Sequence, residues 1–294
     1  MTLLDILNNL SKTYHFKLIA LHLNHNWRGE ESEAEAQNCA QFCAEKGIEF
    51  YTETLDVNEK HTETHARELR YQFFNNAIKK LGITALFTAH TKSDTAETLV
   101  YRMIKGTGIK GLQGISPKLS KIYRPMLDIS RSEIEEYCKQ NGLNPNFDSS
   151  NNNNNYARNF IRNEVLPKFK QINSNYEDAL NSLSILAFEE EQIIKEYIKS
   201  LDLYKNDKIL SQKFKNLSTQ MQKRIVYEIY VKHDFEYTQE RILNTLKFIN
   251  ENITSKSGKK CSINATHWLF VNEKHIEVLT NQIKNTNVLK ITSE

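Results

Sequence analysis

The first 105 residues alternate short apolar segments with segments of helical periodicity, and this alternation constrains the fold more than any other feature. Apolar segments at 16–25, 48–55 and 83–90 have the length and composition of buried strands. Helical patterns precede and separate them, at 2–12, 30–47, 61–81 and about 93–105. Gly47 and Gly82 predict where two of these helices stop. Helix-length connections between apolar strands predict a parallel α/β sheet.

The pattern changes after about residue 168. Long amphipathic segments at 173–200, 218–232 and 238–250 predict helices, whereas 259–279 predicts short strands. We therefore expect two domains, an α/β domain at 1–168 and a mostly helical domain at 169–294. A length of 294 residues allows each domain a hydrophobic core of its own.

The composition is that of a globular protein, with 39% hydrophobic and 26% charged residues. No apolar run approaches the roughly 18 residues that span a bilayer, and the first residues do not resemble a signal peptide. We expect a cytoplasmic protein with no membrane partner. The four cysteines form no Cys-x-x-Cys pair, which favours reduced, partly buried side chains over a redox or zinc site.

Positive charge is concentrated between residues 102 and 131. This stretch has one acidic residue, Asp128, and seven basic ones: Arg102, Lys105, Lys110, Lys118, Lys121, Arg124 and Arg131. The net charge of the whole chain is only +3. A solvated basic face and a phosphate-binding surface are both consistent with this pattern.

Four of the nine glycines, at 106, 108, 111 and 114, lie within the same stretch. The segment GTGIKG (106–111) matches the spacing of a dinucleotide-binding loop, but it follows a predicted helix instead of a strand. The glycines therefore either turn the chain or let the backbone approach another group closely.

Polar residues follow the predicted strands at their carboxyl ends, where open α/β sheets bind ligands. His25 and His90 occupy two such ends, and Asp94 and Glu97 lie in the first turn of the next helix. Acidic residues often cap a helix at this position. The alternative is that the two carboxylates bind an ammonium group or a metal ion.

Five consecutive asparagines, Asn151–Asn155, precede Arg158 and Arg162. A polar run of this kind is typical of a solvated linker. It is also short enough to be a loop within a functional motif, and the residues alone do not decide between the two.

Six blocks, in the same order along the chain, resemble motifs of the tRNA(Ile)-lysidine synthetase family of PP-loop ATP pyrophosphatases. They are HLNHNWRG (22–29), ETHARELRY (63–71), AHTKSDTAET (89–98), RMIKGTGIKGLQGI (102–115), RPMLDISRSEI (124–134) and DSSNNNNNYARNFIRNEVLP (148–167). In the last block the asparagines fill a spacer of the length usual in the family, so the resemblance favours a loop within a motif.

The resemblance implies a Rossmann-like PP-loop domain of the adenine nucleotide alpha hydrolase type, followed by a mostly helical domain that recognises tRNA. It implies that ATP and Mg²⁺ are used to adenylate the C2 oxygen of the wobble cytidine in a CAU-anticodon isoleucine tRNA. The ε-amine of free L-lysine then attacks C2, and AMP leaves.

The resemblance also implies roles for individual residues. Asp94, Glu97, Arg67 and His90 are expected to be catalytic, with Asp94 also binding magnesium. ATP is expected to contact His25, Arg28 and Arg70. RNA phosphates are expected to contact the basic side chains of Arg102, Lys105, Lys110, Arg124, Arg131, Arg158 and Arg162.

The chain departs from the family in one respect: it contains no Ser-Gly-Gly-x-Asp-Ser motif, which binds ATP between the first strand and first helix of the family. We therefore expect that the first strand is missing and that the 294 residues as written do not bind ATP productively. The alternatives are a non-catalytic or truncated tRNA-binding remnant, or another PP-loop tRNA-modifying enzyme. A homodimer is a possible assembly of this protein.

Overall fold

The structure, a computed structural model, describes residues 1–27, 29–56, 62–145, 154 and 156–280. The chain divides into two compact units, Met1–Gln192 and Ile193–Glu294. This boundary falls later than the change of sequence pattern at 168–172. Tyr176 and Leu180 pack with the apolar cluster around Ala96 and Val100 of the first unit, which accounts for the difference.

The first unit begins with the predicted alternation of helices and strands: α1 (Thr2–Tyr14), β1 (Ile19–Asn24), α2 (Glu30–Lys46), β2 (Glu49–Thr54), α3 (Glu63–Lys80), β3 (Leu86–Phe87) and α4 (Lys92–Lys105). Gly47, at φ 69°, ends α2 in the left-handed conformation that glycine adopts without strain. Thr62 caps the start of α3 by accepting a hydrogen bond from the backbone N–H of His65.

Short elements follow α4: α5 (Ile109–Leu112), β4 (Lys118–Leu119), β5 (Ile122–Tyr123), α6 (Arg131–Gln140), α7 (Ala157–Phe160), a π-helical turn (Ile161–Val165), α8 (Leu166–Ile172) and α9 (Tyr176–Ser200). The unit boundary lies within α9. No helix in the described ranges is long and apolar enough to cross a membrane.

The strands of the first unit form two sheets. β1 and β2 are parallel, from Ile19 opposite Glu49 to Asn24 opposite Thr54. β3 is parallel to β5, and β4 is antiparallel to β5. The predicted parallel α/β fold is thus confirmed, but between residues 1 and 145, as far as they are described, β1 and β3 share no ladder. Only the two residues opposite β5 form β3, whereas the sequence predicts a strand over 83–90.

Helices α1, α2 and α6 meet around a buried carboxylate. Asp5, which is 3% exposed, accepts hydrogen bonds from Lys46 Nζ at 3.0 Å and from Tyr137 Oη at 2.9 Å. Burial alone would raise the pKa of Asp5, but the bonds from Lys46 and Tyr137 outweigh that effect and hold the pKa below its ordinary value. The carboxylate therefore links three helices while it stays charged.

We expect Asp5→Asn to lower the free energy of unfolding by about 1–2 kcal/mol at pH 7, a value reduced because Lys46 is partly exposed. Because the folded-state pKa is depressed, this stabilisation is complete above the unfolded pKa and is lost as pH falls through the folded pKa. The difference between wild type and variant should therefore shrink below about pH 4. Urea denaturation at pH 7 and pH 3.5 measures it, and a difference independent of pH would contradict this role.

The second unit combines helices with an antiparallel sheet. Its elements are β6 (Tyr204–Lys205), β7 (Lys208–Leu210), α10 (Ser211–Lys215), α11 (Thr219–Lys232), α12 (Gln239–Asn252), β8 (Lys259–Ser262), β9 (His267–Val271) and β10 (His275–Thr280). The strand order is β6-β7-β10-β9-β8. Phe214, Ile225, Ile249 and Leu269 are fully buried where helices and sheet meet. The sequence predicts α11, α12 and the last three strands, but not β6 and β7.

Candidate active site

Helix α4 begins at a capping box. The Asp94 carboxylate accepts hydrogen bonds through Oδ2 from the backbone N–H of Thr91 at 2.7 Å and from Thr91 Oγ1 at 2.8 Å. The backbone N–H of Asp94 in turn donates to Thr91 Oγ1 at 3.4 Å. The capping interpretation of Asp94 is therefore correct, but it uses one carboxylate oxygen only. Oδ1 lies 3.9 Å from Arg162 Nη2.

Glu97, one turn further along α4, forms a two-point ion pair with Arg162. Arg162 donates from Nε to Oε1 at 2.6 Å and from Nη2 to Oε2 at 2.9 Å. Glu97 is 2% exposed. Burial raises the pKa of the Glu97 carboxyl, and the bonds from Arg162 oppose that rise. The bond to Glu97 raises the pKa of Arg162, so the guanidinium stays charged.

A π-helical turn places Arg162 on Glu97. The turn spans Ile161–Val165, and Ile161 packs against Ala96 and Val100 of α4. Such turns insert one extra residue into a helix and occur often at functional sites. The sequence predicts RNA contact for Arg162. In the structure its guanidinium instead donates hydrogen bonds to both carboxylate oxygens of Glu97, so the RNA contact stays a prediction.

His90 lies at the carboxyl end of β3, among arginine side chains. Its Nδ1 is 2.9 Å from Thr88 Oγ1. Burial lowers the pKa of His90; nearby Asp94 raises it, whereas Arg124, Arg67 and Arg70 lower it. A lowered pKa keeps the imidazole neutral at physiological pH. Arg67 and Arg70 of α3 and Arg124 after β5 therefore all contribute positive potential at His90. Converging positive potential of this kind favours the binding of an anion.

Tyr71 organises two of these arginines. Arg67 lies over its ring, 4.9 Å from the centroid, and donates to its hydroxyl at 3.2 Å. Arg124 donates to the same hydroxyl at 2.8 Å and to the Ser116 carbonyl at 2.6 Å. Arg124 is 5% exposed, so as placed its guanidinium is not open to an RNA phosphate. Arg67 is exposed and is open to one.

His25 follows β1 and carries a buried polar atom. Its Nδ1 has no hydrogen-bond partner among the described residues, and its ring lies 5.4 Å from that of Trp27. Burial, with Arg70 and His22 nearby, lowers the pKa of His25 to about 4. A buried ring nitrogen of this kind is satisfied when a ligand supplies the missing bond. Arg28, the other predicted ATP contact here, lies outside the described residues.

The glycine block folds back onto α4 through Arg102. Arg102 Nη1 donates to the carbonyls of Gly111 and Gly114, each at 2.8 Å. Gly114 has φ 61°, and a Cβ there would lie 2.7 Å from Ser184 Oγ and 2.9 Å from Thr95 Cγ2. The glycine is needed for close approach to α4 and α9 as well as for the turn. Arg102 is thus bound to backbone, whereas Lys105, Lys110 and Arg131 are exposed.

These contacts separate the expected effects of Arg102 and of the lysines on RNA binding. We expect Lys105→Ala and Lys110→Ala each to reduce the slope of log K against log salt by about 0.7–0.9, because each removes one phosphate contact. Arg102→Ala should weaken binding and leave the slope nearly unchanged, since it disorders a loop. Fluorescence anisotropy from 50 to 300 mM salt measures both.

Arg102→Lys is the control for this distinction, because it keeps the charge, but its shorter side chain places the ammonium group short of the Nη1 position from which both carbonyl bonds are made. If Arg102 holds the loop, the lysine variant should behave like the alanine variant. A lysine variant that behaves like wild type, together with a flattened slope for Arg102→Ala, would instead assign Arg102 to a phosphate.

The sequence profile of the PP-loop domain family matches residues 1–169, more than half of the chain. The chain belongs to the PP-loop domain family. Among curated proteins, it is 39% identical over 190 residues to a tRNA(Ile)-lysidine synthase of Clostridioides difficile, a match that covers 62% of this chain and 41% of that relative.

Two further relatives carry the same name. A tRNA(Ile)-lysidine synthase of Thermotoga maritima is 40% identical over 189 residues, 62% of this chain and 45% of the relative. One of Clostridium perfringens is 33% identical over 249 residues, 79% of this chain and 53% of the relative. The chain thus spans about half the length of these relatives. A solved U34-tRNA thiolase of Methanococcus maripaludis shows 16% identity and a TM-score of 0.49, over 63% of this chain and 67% of that chain.

Two polar contacts between the PP-loop domain and α9 are not revealed by the sequence. Ser93 Oγ donates to Glu177 Oε1 at 2.7 Å, and Lys92 Nζ lies 2.6 Å from Asp178 Oδ1. They join the starts of α4 and α9. The contact from Ser93 to Glu177 crosses 84 residues of sequence, so no local pattern could have indicated it.

Around the asparagine run, the PP-loop domain is described only in part, because 146–153 and Asn155 lie outside the described residues. Asn154 donates to Glu164 at 3.1 Å and accepts from Asn163 at 2.9 Å. Both partners directly follow Arg162 in the π-helical turn. Among the described residues, no three His, Cys, Asp or Glu side chains are grouped as ligands of one metal ion.

Proposed function

We propose that this chain acts in lysidine formation, the ATP-dependent ligation of lysine to C2 of the wobble cytidine in a CAU-anticodon isoleucine tRNA. The similarity to several tRNA(Ile)-lysidine synthases supports the substrate assignment. The observation that carries the proposal is the Asp94–Glu97–Arg162 cluster, which combines two carboxylates and a guanidinium beside His90 and the arginines of α3.

In this proposal Asp94 is the primary contact for the ammonium group of lysine. Both oxygens of Glu97 are bonded to Arg162, whereas Asp94 Oδ1 is not used by the capping box. Glu97 adds negative potential and, through Arg162, fixes the π-helical turn against α4. The ε-amine must lose a proton before it attacks, and the neutral ring of His90 is the nearby candidate to take it.

The arginines and His25 have roles toward ATP. Arg67 and Arg70 would neutralise phosphate charge that grows as the C2 oxygen is adenylated. His25 Nδ1, buried without a partner among the described residues, would gain one from bound nucleotide. Mg²⁺ commonly binds through one or two carboxylates together with substrate phosphates, and Asp94 is the candidate protein ligand. Its Oδ1 would contact either Mg²⁺ or the ammonium group of lysine, not both at once. A bound Mg²⁺ would neutralise phosphate charge.

The tRNA would contact basic residues outside the cluster. Lys105, Lys110 and Arg131 are exposed in the first unit. Residues 193–294 contain 17 basic and 11 acidic residues, which favours recognition of the tRNA body by the second unit. We place this activity in the cytoplasm. The homodimer stays a prediction.

A second candidate function is tRNA binding without ligation. One observation favours it: β1 and β3, as described, lie in separate sheets, so their carboxyl ends do not form one continuous ligand-binding edge. Lysine and RNA could still bind to α4 and the basic residues in this case.

The deciding experiment measures AMP release from ATP with free lysine and a CAU-anticodon tRNA transcript, and detects lysidine by mass spectrometry. It is run on this chain and on a version preceded by an apolar strand and a Ser-Gly-Gly-x-Asp-Ser loop. AMP release by either protein that needs both lysine and the CAU anticodon supports the ligase. Selective RNA binding without AMP release by either protein supports the second candidate. No preference for the CAU transcript in either assay would refute both.

A further inference from the structure

The face of α4 that carries Asp94 and Glu97 continues beyond the cluster. Residues three and four apart share one face of a helix, so Tyr101 follows Glu97, and Ile104 and Lys105 follow Tyr101. Seven residues of helix separate Glu97 from Ile104, a rise of about 10 Å. The face therefore leads from the buried ion pair to the surface where the glycine block begins.

Apolar and cationic side chains alternate at the surface end of this face. Ile104 is 68% exposed and Ile109 is 47% exposed. Lys105 Nζ lies 5.8 Å from the centroid of the Tyr101 ring, and Lys110 follows Ile109. One exposed isoleucine is ordinary in a soluble protein. Two of them interleaved with lysines beside a candidate active site form a mixed apolar and cationic surface, here called the platform (Ile104, Lys105, Ile109 and Lys110).

The platform is held in place by hydrogen bonds and close packing. Arg102 donates to the carbonyls of Gly111 and Gly114, which ties the segment that carries Ile109 and Lys110 back to α4. Gly114 packs against Thr95 and Ser184, with no room for a side chain. Binding to a preorganised surface costs less conformational entropy than binding to a loop that must first be ordered.

We propose that the platform binds an unpaired nucleotide next to the target cytidine, an inference that rests on the proposed function. An unpaired nucleotide presents an apolar base face and an anionic phosphate within one residue, which matches isoleucines interleaved with lysines. Paired RNA does not fit, because its base faces are stacked inside the helix. Ile104 and Ile109 contact the base, and Lys105 and Lys110 contact the adjoining phosphates.

The test measures binding of the 294-residue chain to an anticodon stem–loop with a CAU anticodon. We expect Ile104→Ala and Ile109→Ala each to raise Kd about 3- to 10-fold, with the salt slope unchanged. Ile172→Ala is the matched control, because Ile172 is 87% exposed in the same unit and lies outside the platform. It should leave Kd unchanged. Circular dichroism checks that the variants fold.

Stem–loops with a single abasic nucleotide identify the contact. At one loop position adjacent to the cytidine, removal of the base should abolish the effect of Ile104→Ala, since the lost contact is then already absent. An isoleucine effect of the same size on every abasic RNA, or an equal effect of Ile172→Ala, would overturn the platform while leaving the proposed function standing. The platform is also overturned if wild type binds the CAU stem–loop tightly and neither isoleucine substitution changes Kd. That result would be expected if the surface instead bound an acidic, apolar peptide. Wild type that shows no preference for the CAU stem–loop would instead refute the proposed function and the platform together.

Discussion

Arg162→Ala should destabilise the first unit by about 3 kcal/mol, because it leaves the Glu97 carboxylate buried without its charge partner. The expected loss depends on pH. In the variant, Glu97 has a raised folded-state pKa, so the folded state binds a proton more readily than the unfolded state does. Stability of the variant therefore falls as pH rises above the unfolded pKa, and its deficit should be larger at pH 8 than at pH 5.

Urea denaturation followed by tryptophan fluorescence measures this loss. The chain has two tryptophans, Trp27 in the first unit and Trp268 in the second, so a Trp268→Phe background reports on the first unit alone. Adding Glu97→Gln to Arg162→Ala should remove the pH dependence. The pair Glu97→Leu with Arg162→Met should recover most of the stability, because an apolar pair replaces a buried ion pair at little cost.

A control variant bears on the same prediction. Arg131→Ala removes an exposed arginine paired with Glu135, and it should change the stability by less than about 0.5 kcal/mol. If Arg162→Ala costs no more than Arg131→Ala at both pH values, then the Glu97–Arg162 pair does not stabilise the first unit.

The helix limits show what local pattern can predict. The sequence places a helix at 30–47, and α2 spans Glu30–Lys46, because Gly47 fixes the end through its own backbone preference. A strand depends on its neighbour instead. The segment 83–90 is mostly apolar, yet only Leu86 and Phe87 form β3, since only these two residues lie opposite β5. The residues of a strand do not by themselves predict which other strand it pairs with.

The site shows the same division between local and distant determinants. Asp94 and Glu97 are predicted from their place after a strand, and the structure puts both at the start of α4. The pairing of Glu97 with Arg162 spans 65 residues and depends on a π-helical turn. The sequence does not predict that turn. A run of basic residues also does not show where each side chain points. Arg102 and Arg124 bond to backbone carbonyls, whereas Lys105 and Lys110 are exposed.

In whichever of the two proteins releases AMP, Asp94→Asn should reduce lysine-dependent AMP release and lysidine formation by about 100-fold or more, while the free energy of unfolding changes by less than about 1 kcal/mol. The amide can still accept a hydrogen bond from the backbone N–H of Thr91, so the cap is largely kept. What it loses is the negative charge at Oδ1, which the proposal assigns to the ammonium group of lysine. Binding of radiolabelled lysine, measured without ATP, should weaken in parallel.

Thr91→Ala separates capping from lysine binding at the same position. It removes the hydroxyl side of the capping box and leaves the Asp94 carboxylate intact. If Asp94 acts on lysine, then Thr91→Ala should cost about 1 kcal/mol of stability and keep most of the activity per folded molecule. Asp178→Asn, an exposed carboxylate of the same region paired with Lys92, should change lysine binding little.

Thr91→Ala and Asp94→Asn together distinguish the two roles of Asp94, because the first removes a capping contact and the second removes the carboxylate charge. A structural role predicts that Thr91→Ala and Asp94→Asn lose stability and activity in the same proportion, since both act through the first turn of α4. A role in binding lysine predicts that only Asp94→Asn loses affinity for lysine, and that Asp94→Glu, which keeps the charge, restores part of it. Equal lysine affinity in wild type and Asp94→Asn would assign Asp94 to the cap alone.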